Sequence, residues 1–314
     1  MNGIFNINKP EGLTSHDVVA RIRRLLRTRP IQNPSSKVQN RVGHAGTLDP
    51  LATGVLPIVV GTATRLVEYL ADADKAYRAT LVLGATTDTY DREGHLTFNQ
   101  GVLMPSADAV GAAMQQFKGE IEQLPPMHSA IKMGGKKLYD LARQGIEVKR
   151  EPRKVTIKRL EQEAYDPPRL QLYVECSKGT YIRSLAHDLG TSLGTGAYLE
   201  ALVRTRHGPF TLEGAIGLES LEAAFNDGTW QASLYPPDYI LADWLVHVTS
   251  PGEEKDLLQG KPLNLPPPVE QTTQRMAAKT QTGELLAVLH WDAEKEAWQP
   301  KKVFIPSSEQ SERV

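Results

Sequence analysis

Apolar positions near the start of the chain recur every three or four residues. The stretch TSHDVVARIRRLLR, residues 14–27, places arginines between these positions. Thr14 and Asp17 have the spacing of a helix capping box, with Asp replacing the longer Glu or Gln. The pattern predicts an amphipathic helix with one basic face. Its apolar face consists of Val18, Val19, Ile22, Leu25 and Leu26.

Alternating patterns further along the chain predict strands. In residues 76–84, Tyr77 and every second residue after it are apolar, which is typical of a half-buried strand. Residues 181–193 have helical spacing, and we expect this helix to begin near Gly179 or Thr180, with Arg183 in its first turn. Two further strands are predicted at 155–160 and 170–177, and a further helix is predicted at 106–118.

The pattern changes after about residue 235. Short apolar segments joined by Pro- and Gly-containing turns predict further strands in YPPDYILADW, GKPLNLPPPVE and QTGELLAVLHW. We therefore expect an α+β protein with a main domain over 1–235, a linker near 235–237, a small β domain over 240–306 and a disordered tail over 307–314.

Composition places the chain among ordinary soluble proteins. Its 314 residues are 40% hydrophobic and 23% charged. No apolar segment is long enough to span a membrane, and the first residues lack the features of a signal peptide. Cys176 is the only cysteine, which excludes an internal disulfide and a multi-cysteine metal site. These features favour a cytoplasmic location.

The net charge of −1 conceals an uneven distribution. Residues 1–44 carry a net charge of +6 and residues 132–159 carry +7, whereas residues 213–256 carry −8. Basic segments on one face would bind a polyanion, and on separate faces they would only be solvated surfaces. Between residues 27 and 41 a polar, proline-containing segment is predicted to be a mobile loop.

The stretch GHAGTLDPLATG, residues 43–54, combines several glycines with Asp49 and Pro50. A single carboxylate in such a loop is most often a turn former or a helix cap, and it can also be a nucleophile. The phosphate-binding spacing GxxxxGK[ST] is absent, and no second carboxylate has the spacing of a glycosidase pair.

Four other residues remain ambiguous from the pattern alone. His44 could form a hydrogen bond within a turn, act as a base, bind a metal or stack in an RNA, although no second metal ligand has a suitable spacing. In KGTYIRS, Arg183 could form a surface ion pair and Tyr181 could be a core aromatic. Tyr77, at the start of its strand, could likewise be a core aromatic.

Several motifs in order resemble those of the TruB family of pseudouridine synthases, the bacterial tRNA pseudouridine-55 synthases. These motifs are NINKPEGLTSHDVV, GHAGTLDPLATGVLPI, KAYRATLVLGATTDTYDREG, GKKLYDLARQGIEVKREPR and CSKGTYIRSLAHDLG. The resemblance extends over residues 3–209, while the region after 240 only resembles a PUA-type β domain. It implies the pseudouridine synthase fold, with a central mixed, mostly antiparallel sheet flanked by helices and loops.

The resemblance also implies a reaction and a set of site residues. Members isomerise a T-loop uridine of tRNA to pseudouridine without a cofactor or metal. They flip the base out, cleave the glycosidic bond and reattach the uracil through C5. By motif position, Asp49 is the catalytic aspartate and Arg183 its partner. Tyr77 is the residue stacked on the base and a catalytic candidate for proton abstraction. Tyr181 and Leu202 line the uridine pocket, and His44 enters the RNA stack.

Some alternatives stay open within this resemblance. The attack of Asp49 could occur at uracil C6 or ribose C1′, or a glycal could form instead. We expect Arg183 to lower the pKa of Asp49 and so keep it ionised. The chain is expected to act on the T-arm of tRNA as a monomer without a protein partner. A guide-RNA-dependent enzyme and a non-catalytic tRNA-folding factor are the competing functions.

Overall fold

The computed structural model describes residues 1–27, 41–129, 148–268 and 274–305, with 132–133, 135–138, 141 and 144–146 between the second and third of these ranges. Within these residues the helices are α1 (Ser15–Arg27), α2 (Val67–Ala71), α3 (Ala107–Met114), α4 (Ile182–Ser192), α5 (Leu218–Asp227) and α6 (Pro251–Leu258). No described helix is long and apolar enough to cross a membrane. The predicted mobile loop, apart from Arg27, and the predicted tail lie outside the described residues.

Eleven of the described strands form one large sheet. They are β1 (Gly3–Lys9), β2 (Val42–His44), β3 (Thr53–Val60), β4 (Lys75–Leu83), β7 (Gly119–Gln123), β10 (Arg153–Asp166), β11 (Arg169–Cys176), β12 (Ala197–His207), β13 (Phe210–Thr211), β14 (Ile216–Gly217) and β15 (Leu234–Tyr235). The others are the hairpins β5 (Ala85–Thr87) with β6 (Leu96–Phe98) and β8 (Lys132–Met133) with β9 (Lys136–Lys137), and the small sheet β16 (Leu245–Val248), β17 (Arg275–Lys279), β18 (Leu285–Asp292) and β19 (Ala297–Val303).

The path through the large sheet is β14-β1-β3-β12-β4-β11-β10-β7. Most neighbours are antiparallel, but β1 pairs parallel with β14 and β3 pairs parallel with β12. The predicted α+β class with a mixed, mostly antiparallel sheet is therefore confirmed. The parallel pairing of β3 with β12 brings together segments about 150 residues apart in the chain.

Strands β1 and β3 are buried on both faces, which explains their nearly continuous apolar sequences. Phe5 and Ile58 face a core that also contains residues of α1, α4 and α5. Their neighbours Ile4 and Val59 face a second core that the large sheet shares with the C-terminal residues. Side chains alternate between the two cores because successive residues of a strand point to opposite faces.

The small C-terminal sheet is packed against the large one through this second core. Ala277, Val288 and Phe304 contribute to it from the C-terminal side. Polar contacts reinforce the junction: the Arg65 guanidinium donates to the Val303 carbonyl at 2.6 Å, and the Lys279 ammonium lies 2.6 Å from an Asp238 carboxylate oxygen.

Several predicted elements are confirmed, with small changes at their ends. Helix α1 begins at Ser15, and Thr14 and Asp17 form the predicted capping box, with the Thr14 amide 2.9 Å from the Asp17 carboxylate. Strand β4 buries the predicted face of Tyr77. Helix α4 begins at Ile182, later than the predicted Gly179 or Thr180, because Gly179 is left-handed and Tyr181 is extended.

The interpretation of YPPDYILADW as a strand is wrong. Leu234 and Tyr235 pair with β1, and Pro237–Leu241 then form a 3-10 helix. Pro237 occupies the start of this helix, where its fixed φ is favourable and its missing amide hydrogen is not needed. The predicted linker therefore begins inside the large sheet at Tyr235 rather than between two domains.

Candidate active site

The loop that carries Asp49 connects β2 to β3 and is fixed along most of its length. The Ser15 hydroxyl accepts from the Leu48 amide at 2.8 Å and donates to the Leu48 carbonyl at 3.1 Å. The buried Lys9 ammonium donates to the carbonyls of Pro10, Leu13 and Pro50. These contacts hold the loop on the end of β1 and the start of α1, so Asp49 projects from a rigid support.

A second buried cation holds the other side of the loop. Arg204 of β12 is 1% exposed and donates to the Val55 carbonyl at 2.6 Å and to the Gly46 carbonyl at 3.2 Å. Gly54 has a φ of +97°, and a side chain there would overlap the Arg204 carbonyl oxygen. The glycine therefore permits close approach of β3 to β12.

Arg183 meets three acceptors with three different nitrogens. Its Nε lies 3.1 Å from an Asp49 carboxylate oxygen, and its Nη1 lies 3.1 Å from an Asp91 carboxylate oxygen. Its Nη2 donates to the His128 carbonyl at 2.8 Å. Because the guanidinium is planar, fixing three of its donors fixes its orientation toward Asp49. The structure thus brings together the aspartate and arginine that the resemblance pairs.

Asp91 is the second carboxylate on this arginine, and the sequence did not reveal it. It is 2% exposed, its Oδ1 accepts from the Thr89 hydroxyl at 2.7 Å and from the Glu93 amide at 3.1 Å, and its Oδ2 contacts Arg183. Arg183 therefore lies between two carboxylates, of which Asp49 is the more exposed.

The pKa of Asp49 is raised, contrary to the expectation that Arg183 lowers it. Burial in the site is the largest cause, and the negative charge of Asp91 adds to it. The Arg183 charge opposes both effects and favours the ionised form. The outcome is a carboxylate that is more basic than an ordinary aspartate and still has a cation in contact.

Tyr77 is buried beside this site on β4. Burial is the largest cause that raises the pKa of its phenol to about 12, and the nearby Arg204 charge opposes it. Tyr77 and Arg204 are paired across β4 and β12. Leu202, two residues before Arg204, is 7% exposed and belongs to the same core as Tyr77.

Tyr181 is held at the start of α4 by the side chain of Gln123. The Tyr181 amide donates to Gln123 Oε1 at 2.7 Å, and Gln123 Nε2 donates to the Tyr181 carbonyl at 2.9 Å. This pair satisfies backbone groups at a helix start that lacks a side-chain cap. Burial raises the pKa of Tyr181, and Asp49 contributes as a minor cause.

His44 is the last residue of β2, at the start of the loop that carries Asp49. Its Nδ1 accepts from the Gly46 amide at 3.3 Å, and its ring meets the His16 ring edge-on at 5.4 Å. Burial lowers the pKa of His44, which favours a neutral ring. The hydrogen-bonded turn is therefore observed.

A groove of about 660 Å³ opens beside His44. Its lining includes three arginines, Arg23, Arg27 and Arg41, and among the described residues none of them lies within an ion-pair distance of a carboxylate. Arg21 differs, because it is paired with Glu222 of α5. Three described arginines of the first basic segment therefore line the groove beside His44 without an ion-pair partner among the described residues, whereas Arg21 is paired with the acidic segment.

The structure describes six of the ten Lys and Arg side chains of the second basic segment. Of its described cations, Lys154 pairs with Glu120, Lys158 with Asp74 and Arg159 with Glu161. Within the described ranges, no group of three or more His, Cys, Asp or Glu side chains is arranged to hold a metal ion.

Local patterns could not have identified Asp91, Arg204 or Gln123. Asp91 lies in the acidic stretch TDTYD, which has the composition of an exposed turn. Arg204 lies in LVRTRH, where three basic residues resemble a solvated surface. The available signal in the sequence is a charged residue flanked by small or apolar residues. This signal is weak because stretches with charged residues are usually exposed.

Two family models match the chain in sequence. The TruB family pseudouridylate synthase N-terminal domain matches residues 35–182, and the tRNA pseudouridylate synthase B C-terminal domain matches residues 183–251. A tRNA pseudouridine synthase B of Dehalococcoides mccartyi is 44% identical over 97% of this chain and 97% of its own length. The Bacillus licheniformis protein of that name is 41% identical over 98% of this chain and 99% of its own.

Solved structures agree with these matches. The chain is similar to one in a Cbf5-Nop10-Gar1 complex, with a TM-score of 0.74 and 27% identity over 98% of this chain and 86% of the other. A chain in an H/ACA ribonucleoprotein bound to a substrate RNA containing 2′-deoxyuridine gives a TM-score of 0.72. It is 26% identical, over 97% of this chain and 85% of the other. The chain therefore belongs to the TruB family of tRNA pseudouridine synthases, whose members are isomerases.

Proposed function

We propose that the chain isomerises the T-loop uridine-55 of tRNA to pseudouridine and that the Asp49 carboxylate attacks the flipped nucleotide. The contact of Asp49 with Arg183 at 3.1 Å, on a loop fixed by Lys9 and Arg204, is the observation that supports this proposal most strongly. A raised pKa makes the carboxylate a stronger nucleophile, while Arg183 keeps a population ionised.

Each neighbouring side chain has a task in this proposal. Tyr77 packs on the uracil, and because its pKa is about 12 it remains a neutral phenol at physiological pH. Tyr181 and Leu202 complete the walls of the pocket, which leaves the edges of the base free while it turns. Arg183 orients the carboxylate and balances its charge before and after the glycosidic bond breaks.

His44 and the adjacent groove are proposed to bind the RNA around the flipped base. Removing a base from a stack costs a few kcal/mol, and a neutral ring entering the gap recovers part of it. Burial lowers the pKa of His44 and so favours that neutral ring. Arg23, Arg27 and Arg41 carry the positive charge that backbone phosphates require.

The small sheet, residues 245–303, is proposed to be the PUA-like β domain of this enzyme, within a C-terminal region 240–306. Its own core includes Leu257 of α6, Leu263 and Trp298. The main domain would then be residues 1–235, and we propose that the chain acts in the cytoplasm as a monomer.

Tritium release tests the proposed reaction directly. Formation of the bond to C5 expels the hydrogen at C5, so tRNA labelled there with tritium releases its label during the reaction. We expect release by the unaltered protein and essentially none by Asp49→Asn. Asp72→Asn is the matched control, because Asp72 is an exposed acid paired with Lys178 at 2.8 Å. Equal release by Asp49→Asn and the unaltered protein would refute the nucleophile assignment.

The competing functions give different results in the same assay. The solved chain that this protein resembles occurs in a complex with Nop10 and Gar1. If this chain acts alone, an isolated T-arm hairpin is modified without a guide RNA or another protein. A requirement for either would favour the guide-dependent function. Binding without tritium release by the unaltered protein would favour the folding factor.

A further inference from the structure

The turn that carries Asp91 has an unusual backbone. It connects β5 to β6, and Tyr90 within it has a φ of +65°. This left-handed conformation is unfavourable for a bulky residue and persists only where tertiary contacts impose it. The contacts of Tyr90 therefore indicate what holds Asp91 in place.

Two contacts fix Tyr90. Its carbonyl accepts from the Leu199 amide of β12 at 3.0 Å, which fixes the backbone. Its ring stacks on the His187 ring of α4, with centroids 4.0 Å apart and an interplanar angle of 15°. His187 follows Arg183 by four residues, so both side chains lie on one face of the helix. Helix α4 thus contacts the turn through neighbouring residues at two points.

The contacts within the turn do not set its distance from α4. Thr89 and the Glu93 amide orient the Asp91 carboxylate relative to its own backbone. Besides the Asp91–Arg183 ion pair, the stack of Tyr90 on His187 is a direct side-chain contact between the turn and α4. The backbone on both sides of Asp91 is bonded to Leu199 of β12, so loss of the stack would loosen the contact of Asp91 with Arg183 without detaching the turn.

We propose that Tyr90 and His187 are positioning residues that hold Asp91 against Arg183 and so maintain the contact of Arg183 with Asp49. This inference rests on the proposed function of Asp49. Neither ring touches the reacting carboxylate, so the pair acts on the rate through Asp91 and not on binding of tRNA.

Two variants remove the stack from opposite sides. His187→Ala removes one ring, and Tyr90→Asn removes the other while keeping a residue that tolerates the left-handed backbone. We expect each to lower the single-turnover rate of tritium release by about 2- to 10-fold, the worth of an aromatic pair. The dissociation constant for tRNA should stay unchanged. His187→Phe keeps a ring in place and should restore the rate.

A double-mutant cycle tests whether the pair acts through Asp91. In an Asp91→Asn background, His187→Ala should slow the reaction no further. Trp230→Ala is the structural control, because it removes a ring stacked on Phe225 with centroids 5.3 Å apart. This control should lower the melting temperature and leave the rate unchanged.

The outcomes separate this inference from the proposed function. Multiplicative losses in the cycle, or an unchanged rate in both His187→Ala and Tyr90→Asn, would overturn the positioning role. An active Asp49→Asn would instead overturn the proposed function itself. Rate losses in both ring variants, rescue by His187→Phe and no further loss beyond Asp91→Asn would support the inference.

Discussion

Replacing Arg183 with glutamine leaves two carboxylates, Asp49 and Asp91, without the cation that lies 3.1 Å from each. Loss of a neighbouring positive charge disfavours the ionised form, so the pKa of Asp49 should rise further above its ordinary value. A larger fraction of Asp49 is then protonated at any given pH. Because attack requires the carboxylate, activity should fall at low pH and recover as the pH increases.

The size of this shift follows from the distance and the exposure. Two unit charges 3.1 Å apart interact by about 1 kcal/mol in water and about 5 kcal/mol at an effective dielectric constant of 20. The Asp49 side chain is 35% exposed, so screening favours the lower part of this range, about 1–3 kcal/mol. That energy corresponds to an increase in pKa of about one to two units.

The lost hydrogen bonds add a pH-independent effect. Hydrogen bonds to charged groups contribute about 1.5–3 kcal/mol, which lowers the rate by about 10- to 100-fold at every pH. Arg183→Lys separates the two effects, because lysine keeps the charge but lacks the planar fork that contacts Asp91 and His128. The lysine variant should therefore be slow with little displacement of its pH profile.

Single-turnover tritium release measured from about pH 5.5 to about pH 9 is the appropriate assay, because it reports the chemical step. The acidic limb of the Arg183→Gln profile should lie about one to two pH units above that of the unaltered protein. Arg169→Gln is the control, since Arg169 forms an exposed pair with Glu200 at 2.9 Å. A constant rate ratio between Arg183→Gln and the unaltered protein across this range would refute the electrostatic reasoning.

Three other substitutions give distinct outcomes. Asp91→Asn should lower the single-turnover rate by about 10- to 100-fold and leave the tRNA dissociation constant unchanged, because this carboxylate is buried; weaker binding would contradict this. Gly54→Ala should destabilise the fold more than Gly119→Ala in thermal unfolding, since both glycines have positive φ but only a Cβ at Gly54 overlaps the neighbouring strand. Similar losses for both would show that the overlap relaxes. His44→Ala should slow the reaction about 5- to 100-fold while weak tRNA binding persists, and an unchanged rate would exclude a stacking role.

The sequence was informative where a single regular pattern extends over a whole element. Helix α1 was predicted almost to its ends because its period and its capping pair agree. Strand β12 was not predicted, and its register shifts explain the omission. Shifts between Leu199 and Ala201 and between Arg204 and Arg206 interrupt the two-residue alternation that identifies a strand.

The C-terminal region contains a helix signal that its average composition conceals. Ser250 and Glu253 form a complete capping box, and Pro251 occupies the first position of α6. These residues mark a helix start, but the surrounding prolines and short apolar segments favoured strands. The capping residues therefore predict the structure of this segment better than its average composition does.

The site itself depends on contacts that no local pattern contains. Asp49, Asp91 and Arg183 lie on three different elements and meet only because the large sheet brings those elements together. Motif resemblance identified the first and last of them. The raised pKa of Asp49 could not be predicted in the same way, because it depends on burial and on the nearby Asp91 charge.

The buried cations around the Asp49 loop share one property that bears on how the sequence can change over evolution. Lys9, Lys75 and Arg204 all donate to main-chain carbonyls. A carbonyl persists whatever side chain its residue carries, so drift at the accepting positions leaves these bonds intact. Replacing any of the three donor side chains by an apolar residue removes its hydrogen bonds. Tolerance to substitution is therefore asymmetric: the loop can diversify its side chains without losing its position, whereas its supports must stay as they are.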